Sequence, residues 1–144
     1  MQTLMIVCAG GATSSLMAQN VVKSATSEGM DAVLLFPDDV KYKDSFLEKY
    51  SERDLVVVMG PVGAITAGKF RDYKEQVDAV LVAPQVKYMY KTVEEVLGEL
   101  SIPCANIDSL DFGRMRGDKI LTQGLALMDA KNSKYGVATL EGKR

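Results

Sequence analysis

The chain has 144 residues, 47% of them hydrophobic and 25% charged, with a net charge of −2 and a pI near 5.2. That is the size and composition of one soluble globular domain, and its slight acidity offers no footing for nucleic acid or an anionic membrane surface. The sequence contains no His. This excludes imidazole acid–base catalysis, a Ser-His-Asp triad, a phosphohistidine carried by this chain and the commonest metal ligand. Nucleophilic chemistry must rest on Cys, Ser, Thr, Lys, Asp or Glu. Two cysteines, Cys8 and Cys104, are expected to stay reduced, and two thiols alone make a poor metal site. The apolar opening lacks the basic residues of a signal peptide, and no apolar run approaches the ~20 residues that span a bilayer. A cytoplasmic location without membrane insertion is the expectation.

The first strand is expected at Thr3–Cys8, followed by "AGGATSS" and a helix that Thr13 or Ser14 caps, running to about Glu28. Leu16, Met17, Val21, Val22 and Ala25 give that helix an apolar face, and Gly29 ends it. A second strand falls at Ala32–Phe36. Between Val40 and Gln76 the pattern predicts a short helix around Asp44–Tyr50, a strand at Asp54–Met59 and a short helix around Ile65–Glu75. A further strand lies at Asp78–Ala83, then a helix at Thr92–Leu100, a strand at Ile102–Ile107 and a last helix at Ile120–Lys131. The strands are continuous apolar runs rather than alternating ones, as parallel strands covered on both faces are. Alternating β and α elements predict a doubly wound α/β fold with a mainly parallel sheet of four to five strands flanked by helices. One domain over residues 1–130 and a polar, mobile tail over 131–144 are expected. "DLVVVMGPV" at Asp54–Val62 faintly repeats in "DAVLVAPQV" at Asp78–Val86, as two central strands of one sheet would.

The chemistry concentrates where the first strand ends. In open α/β sheets ligands bind beyond the carboxyl ends of the strands. Cys8 stands there. Ala9, Gly10, Gly11 and Ala12 let the backbone turn tightly and present N–H groups, while Thr13, Ser14 and Ser15 add hydroxyls. The positive end of the following helix points at the same spot. Residues 9–15 thus form a phosphate-binding loop, and such a field favours a thiolate nucleophile. Cys104, in "SIPCANID", lacks this setting and reads as core.

A low-molecular-weight phosphatase loop has Arg six positions after its Cys. Here that position is Ser14, and neither Arg nor Lys occurs between Cys8 and Lys23. Without the guanidinium fork the site is poor at hydrolysis and better suited to holding a phosphothiol. The P-loop and dinucleotide fingerprints are both missing.

"IVCAGGATSSLMAQNV" (Ile6–Val21) resembles the active loop of enzyme IIB in the lactose/cellobiose/chitobiose branch of the bacterial phosphoenolpyruvate-dependent sugar phosphotransferase system. "DAVLVAPQVKYM" (Asp78–Met89) and "NIDSLDFGRMRGDKIL" (Asn106–Leu121) resemble later blocks of that family. The resemblance implies a cytoplasmic phosphoryl carrier without metal or cofactor. Cys8 would accept a phosphoryl group from a IIA phosphohistidine and pass it to a sugar imported by the membrane partner IIC. The sugar would be a β-linked disaccharide such as cellobiose, chitobiose or lactose. Pro84, Gln85, Tyr88 and Asp108 are expected on neighbouring strand ends, where Gln85 and Tyr88 would shape the rim. Leu16 and Met17 are candidates for an apolar IIA-facing rim. Residues 38–76 are longer than the family's usual connection by about one βα unit, and Arg116 replaces an acidic residue of the family's Gly-x-Met-Asp-Gly stretch. Two other readings of the loop are a flavodoxin-like mononucleotide binder and a divergent phosphatase.

Overall fold

The computed structural model describes residues 2–8, 12–35, 52–62, 77–99 and 101–136. Five parallel strands form one sheet: β1 (Gln2–Cys8), β2 (Ala32–Leu35), β3 (Leu55–Pro61), β4 (Ala79–Val82) and β5 (Cys104–Asn106), in the order β2-β3-β1-β4-β5. Helices α1 (Ala12–Ser27), α2 (Tyr90–Glu99), α3 (Ser109–Gly113) and α4 (Gly117–Gly136) flank it. A 3-10 turn over Pro84–Met89 joins β4 to α2. The short helices expected around Asp44–Tyr50 and Ile65–Glu75 lie outside the described residues.

The strands form where apolar residues are contiguous because both faces are covered. All of Ala79–Val82 and Leu55–Val58 is buried, as is Thr3–Cys8. Met17, Val21 and Ala25 of α1, Val93 and Leu97 of α2, and Ile120, Leu121 and Met128 of α4 complete one continuous core. Burying a side chain of this size contributes about 1.5–3 kcal/mol. α1 ends as expected: Gly29 adopts φ +89°, and the Met30 N–H reaches back to the Ala25 carbonyl at 3.0 Å.

The segment between β2 and β4 contributes the fifth strand, and β3 inserts between β2 and β1. This placement explains the internal echo, because β3 and β4 flank β1 on its two sides. Each is preceded by an Asp that ties a neighbouring strand. Asp54 Oδ2 accepts the Asp31 N–H, and Asp78 Oδ2 accepts the Thr3 N–H, both at 2.8 Å. Arg53 holds Asp31 at 2.7 Å in turn.

Two helix boundaries differ from the sequence reading. α1 begins at Ala12, so Thr13 and Ser14 lie inside its first turn rather than capping it. α4 starts at Gly117 and continues through Lys131 to Gly136, into the stretch assigned to the tail. Its polar composition there hides a helix that is already nucleated upstream.

The Thr3 hydroxyl is fully buried with no hydrogen-bond partner among the described residues. Its backbone N–H and carbonyl are both engaged by Asp78. Thr3→Val keeps those bonds and the β-branched shape while removing the orphaned hydroxyl. We expect it to stabilise the protein by about 1 kcal/mol, read as a higher denaturant midpoint at unchanged m. A lower midpoint would show that the hydroxyl is satisfied in solution.

Candidate active site

The carboxyl ends of β1, β3, β4 and β5 share one edge of the sheet. The connection leaving β1 runs toward β2 and the one leaving β4 runs toward β5. The reversal of direction opens the crevice between β1 and β4. Cys8 is the last residue of β1 and has no exposed surface. It pairs in register with Pro61 of β3. Its carbonyl accepts the Val62 N–H at 2.8 Å, and its thiol donates to the Gly60 carbonyl at 3.7 Å.

Side chains alternate along β1, so Cys8 shares a face with Leu4 and Ile6. Leu4 lies against Gly124 of α4, so that face is the one covered by α4 and by α1, which packs on α4. Ala9, Gly10 and Gly11 lie outside the described residues. Ala12, Thr13, Ser14 and Ser15 form the first turn of α1, whose N–H groups have no intrahelical acceptor. The positive end of the α1 dipole thus begins four residues after the thiol.

On the other side of the crevice, the Ala83 N–H donates to the Val7 carbonyl at 2.9 Å, seating the end of β4 beside the end of β1. Pro84 opens the 3-10 turn, Val86 anchors it in the core, and Gln85 and Tyr88 remain exposed, Tyr88 by 79%. The Ile107 N–H donates to the Val82 carbonyl at 2.8 Å. Asp108 follows and caps α3, accepting from the N–H groups of Leu110 at 2.8 Å and Asp111 at 3.1 Å. Pro84, Gln85, Tyr88 and Asp108 therefore sit on neighbouring strand ends, as expected, and Asp108 is occupied as a helix cap.

The two apolar rim candidates separate. Met17 is core, whereas Leu16 is 51% exposed. The sequence reading missed Leu110, which is 58% exposed on α3. Leu16, Tyr88 and Leu110 are the exposed large apolar side chains among the described residues. Each follows the carboxyl end of a strand on the Cys8 edge.

A groove of about 1050 Å³ runs past Lys87, Asn106, Asp118 and Gln123, and Cys8 does not line it. Arg116, at the start of α4, makes a two-pronged bond to Asp118 at 3.1 Å. That bond holds the Asp118 carboxyl below the usual carboxylate range. Among the described residues no cluster of three or more His, Cys, Asp or Glu side chains is arranged to hold a metal.

Cys104 is half-buried on β5. Its thiol donates to the Tyr90 hydroxyl at 3.8 Å, and that hydroxyl donates to the Cys104 carbonyl at 3.1 Å. Burial pushes the Cys104 thiol up, and burial followed by the Cys104 bond pushes the Tyr90 phenol up. Both groups hold their protons longer when folded. The unfolded chain begins to lose its thiol proton near pH ~8.5 and its phenol proton near pH ~10. The unfolded state therefore binds fewer protons there, and stability falls as pH rises through this range and beyond it. We expect a denaturant midpoint that declines between about pH 8 and pH 11, and a shallower decline in the Tyr90→Phe, Cys104→Ala double variant. An identical slope would remove this pair as the cause.

Comparison with known proteins bears on this edge. A family model described as "PTS system, Lactose/Cellobiose specific IIB subunit" matches residues 3–123. The galactose-specific EIIB component of Lactococcus lactis subsp. cremoris is 25% identical over 128 residues, covering 89% of this chain and 97% of that protein. The cellobiose-specific EIIB component of Lactococcus lactis subsp. lactis aligns to the same extent. The oligo-β-mannoside-specific EIIB component of Bacillus subtilis is 26% identical over 104 residues, covering 72% of this chain and 91% of that one. The solution structure of a cellobiose-specific IIB component from Borrelia burgdorferi superposes with a TM-score of 0.60 at 21% identity, over 90% of this chain and 94% of that one.

Proposed function

Because the chain belongs to the lactose/cellobiose-specific IIB subunit family of the sugar phosphotransferase system, whose members are phosphotransferases, we propose that Cys8 is its phosphoryl carrier. The observation that carries this reading is the position of the thiol. Cys8 ends the central strand beside the β1/β4 crevice, four residues before the N-terminus of α1. The donor is a IIA protein bearing a phosphohistidine. The Cys8 sulfur attacks phosphorus in line, the S–P bond forms as the N–P bond breaks, and the thiol proton passes to the departing imidazole nitrogen. Charge on the equatorial oxygens is held by N–H groups from Ala9 to Ser15, with the hydroxyls of Thr13, Ser14 and Ser15 beside them. A hydroxyl of the incoming sugar, delivered by the membrane partner IIC, then takes the phosphoryl group, and its proton returns to the sulfur.

Gln85 and Tyr88, with Leu16 and Leu110, form the rim over which both partners approach. The relatives carry galactose, cellobiose and oligo-β-mannoside names; the cellobiose name and the family description favour a β-linked disaccharide as the substrate class for this chain, with the choice made largely in IIC. No helix among the described residues is long and apolar enough to cross a membrane. A place in the cytoplasm between IIA and IIC fits this role.

The test is intact mass after incubation with phosphoenolpyruvate, the two general phosphotransferase proteins and a panel of lactose- and cellobiose-type IIA proteins. One phosphoryl group gained on Cys8 supports the reading. No gain with any donor of the panel overturns it.

A further inference from the structure

The end of β3 meets Cys8 twice. The Gly60 carbonyl accepts the thiol proton and the Val62 N–H binds the Cys8 carbonyl, on either side of Pro61, which is in register with Cys8. Both contacts are made by backbone groups, so they are insensitive to the side chains at 60–62. A thiol is a weak donor. On a side chain with no exposed surface, however, the carbonyl selects one rotamer of Cys8, because the other wells would turn the S–H away from its acceptor.

We infer that the carboxyl end of β3, Gly60–Val62, is a positioning latch of the phosphoryl-transfer site, holding the Cys8 backbone through the Val62 N–H and the resting thiol through the Gly60 carbonyl. The latch rests on the reading of Cys8 as the phosphoryl carrier. It accounts for a nucleophile that has no exposed surface in the resting protein. The thiol is kept in one orientation and out of solvent, and it leaves Gly60 only when its proton departs during attack. Gly60 and Val62 touch the reacting residue, not the substrate, so they are positioning residues.

The experiment pairs Val62→Pro, which removes the N–H, with Val62→Ala, which keeps it while losing side-chain packing, both in a Cys104→Ala background. Pro61 already lies in extended strand backbone, the conformation that a following proline requires. We expect Val62→Pro to raise the rate of Cys8 alkylation by iodoacetamide without any partner present, and to lower kcat for phosphoryl acceptance by about tenfold to a hundredfold at unchanged KM for the donor. Val62→Ala should move neither by more than a few-fold at comparable thermal stability.

Infrared spectroscopy of the Cys104→Ala protein adds a readout that needs no change at 62. The single remaining S–H stretch should be narrow and shifted to lower frequency than that of a solvated thiol. A solvent-like S–H band overturns the latch, as does a Val62→Pro protein that alkylates and transfers like wild type. Alkylation and the infrared band report on the latch even if Cys8 accepts no phosphoryl group. Failure of the latch and failure of the carrier reading are therefore distinct results.

Discussion

Cys8→Ser should accept no measurable phosphoryl group from phospho-IIA, with a rate at least about 10⁴-fold below wild type, while keeping its fold. A thiol is intrinsically nucleophilic, whereas a serine hydroxyl with no base beside it is a weak nucleophile. The chain has no His to act as that base. Substitution at a fully buried position threatens the fold when it strands a polar group, but here the acceptor is already in place. The Gly60 carbonyl that receives the thiol proton at 3.7 Å faces the serine hydroxyl as well, and a small local shift brings the two into O–H···O range. The change should cost no more than about 1–2 kcal/mol. Intact mass and transfer of label to sugar measure the first half, and circular dichroism with a denaturant midpoint measures the second. A serine protein that still gains one phosphoryl group at a comparable rate would move the nucleophile to Cys104 or to a hydroxyl of the first turn of α1, and would remove the central claim about Cys8.

Cys8 could be picked out in the sequence because its neighbours are unusual in type as well as in position. A thiol at the end of an apolar run, followed by Gly, Ser and Thr, has few structural uses. The three central strands, β1, β3 and β4, were legible for a related reason. Strands buried on both faces are continuous apolar runs, and Leu55–Val58 and Ala79–Val82 stand out whatever surrounds them. Which strand lies beside which is not written in such runs. Nothing in "DLVVVMGPV" says that β3 inserts between β2 and β1, so its two contacts with Cys8 were invisible until the register was known.

Leu16 shows the limit of helical periodicity. Met17, Val21 and Ala25 recur every four residues and define the buried stripe of α1. Leu16 lies about 100° round the helix from Met17, so its apolar character alone could not decide its exposure. α3 has five residues, too few for any period to reveal that Leu110 faces out. The start of α4 at Gly117 was missed because Gly followed by Asp reads as a turn. The structure gives that glycine another reason to be there.

A Cβ on Gly117 would lie 2.5 Å from the backbone carbon and oxygen of Asn20 and 2.9 Å from its Cβ. The two nearest are backbone atoms of α1 and the third is a Cβ fixed to that backbone, so none can rotate away and α1 and α4 must separate for any side chain to fit. We therefore expect Gly117→Ala to cost about 2–3 kcal/mol, a fall in Tm of roughly 10 °C for a domain of this size. Gly124 makes an informative contrast. Its Cβ would meet Leu4 Cδ2 at 2.6 Å, the tip of a side chain in a packed core. Leu4 can adjust, and alanine returns up to about 1 kcal/mol of helix propensity in the interior of α4. Gly124→Ala should thus cost less than Gly117→Ala. Gly113, exposed at the end of α3, has nothing within 4 Å of a Cβ and no positive φ; Gly113→Ala should change stability by no more than about 0.5 kcal/mol. The order of the three matters more than any single value, because helix propensity alone would make all three substitutions favourable, Gly124→Ala most of all. Only the close approach of α4 to α1 and β1 reverses the sign at 117 and 124 while leaving 113 alone. Thermal melts of the three variants decide it. A Gly117→Ala protein as stable as wild type would mean that α1 and α4 do not pack glycine to backbone. The wall that covers the Cys8 face of β1 would then have to be redrawn.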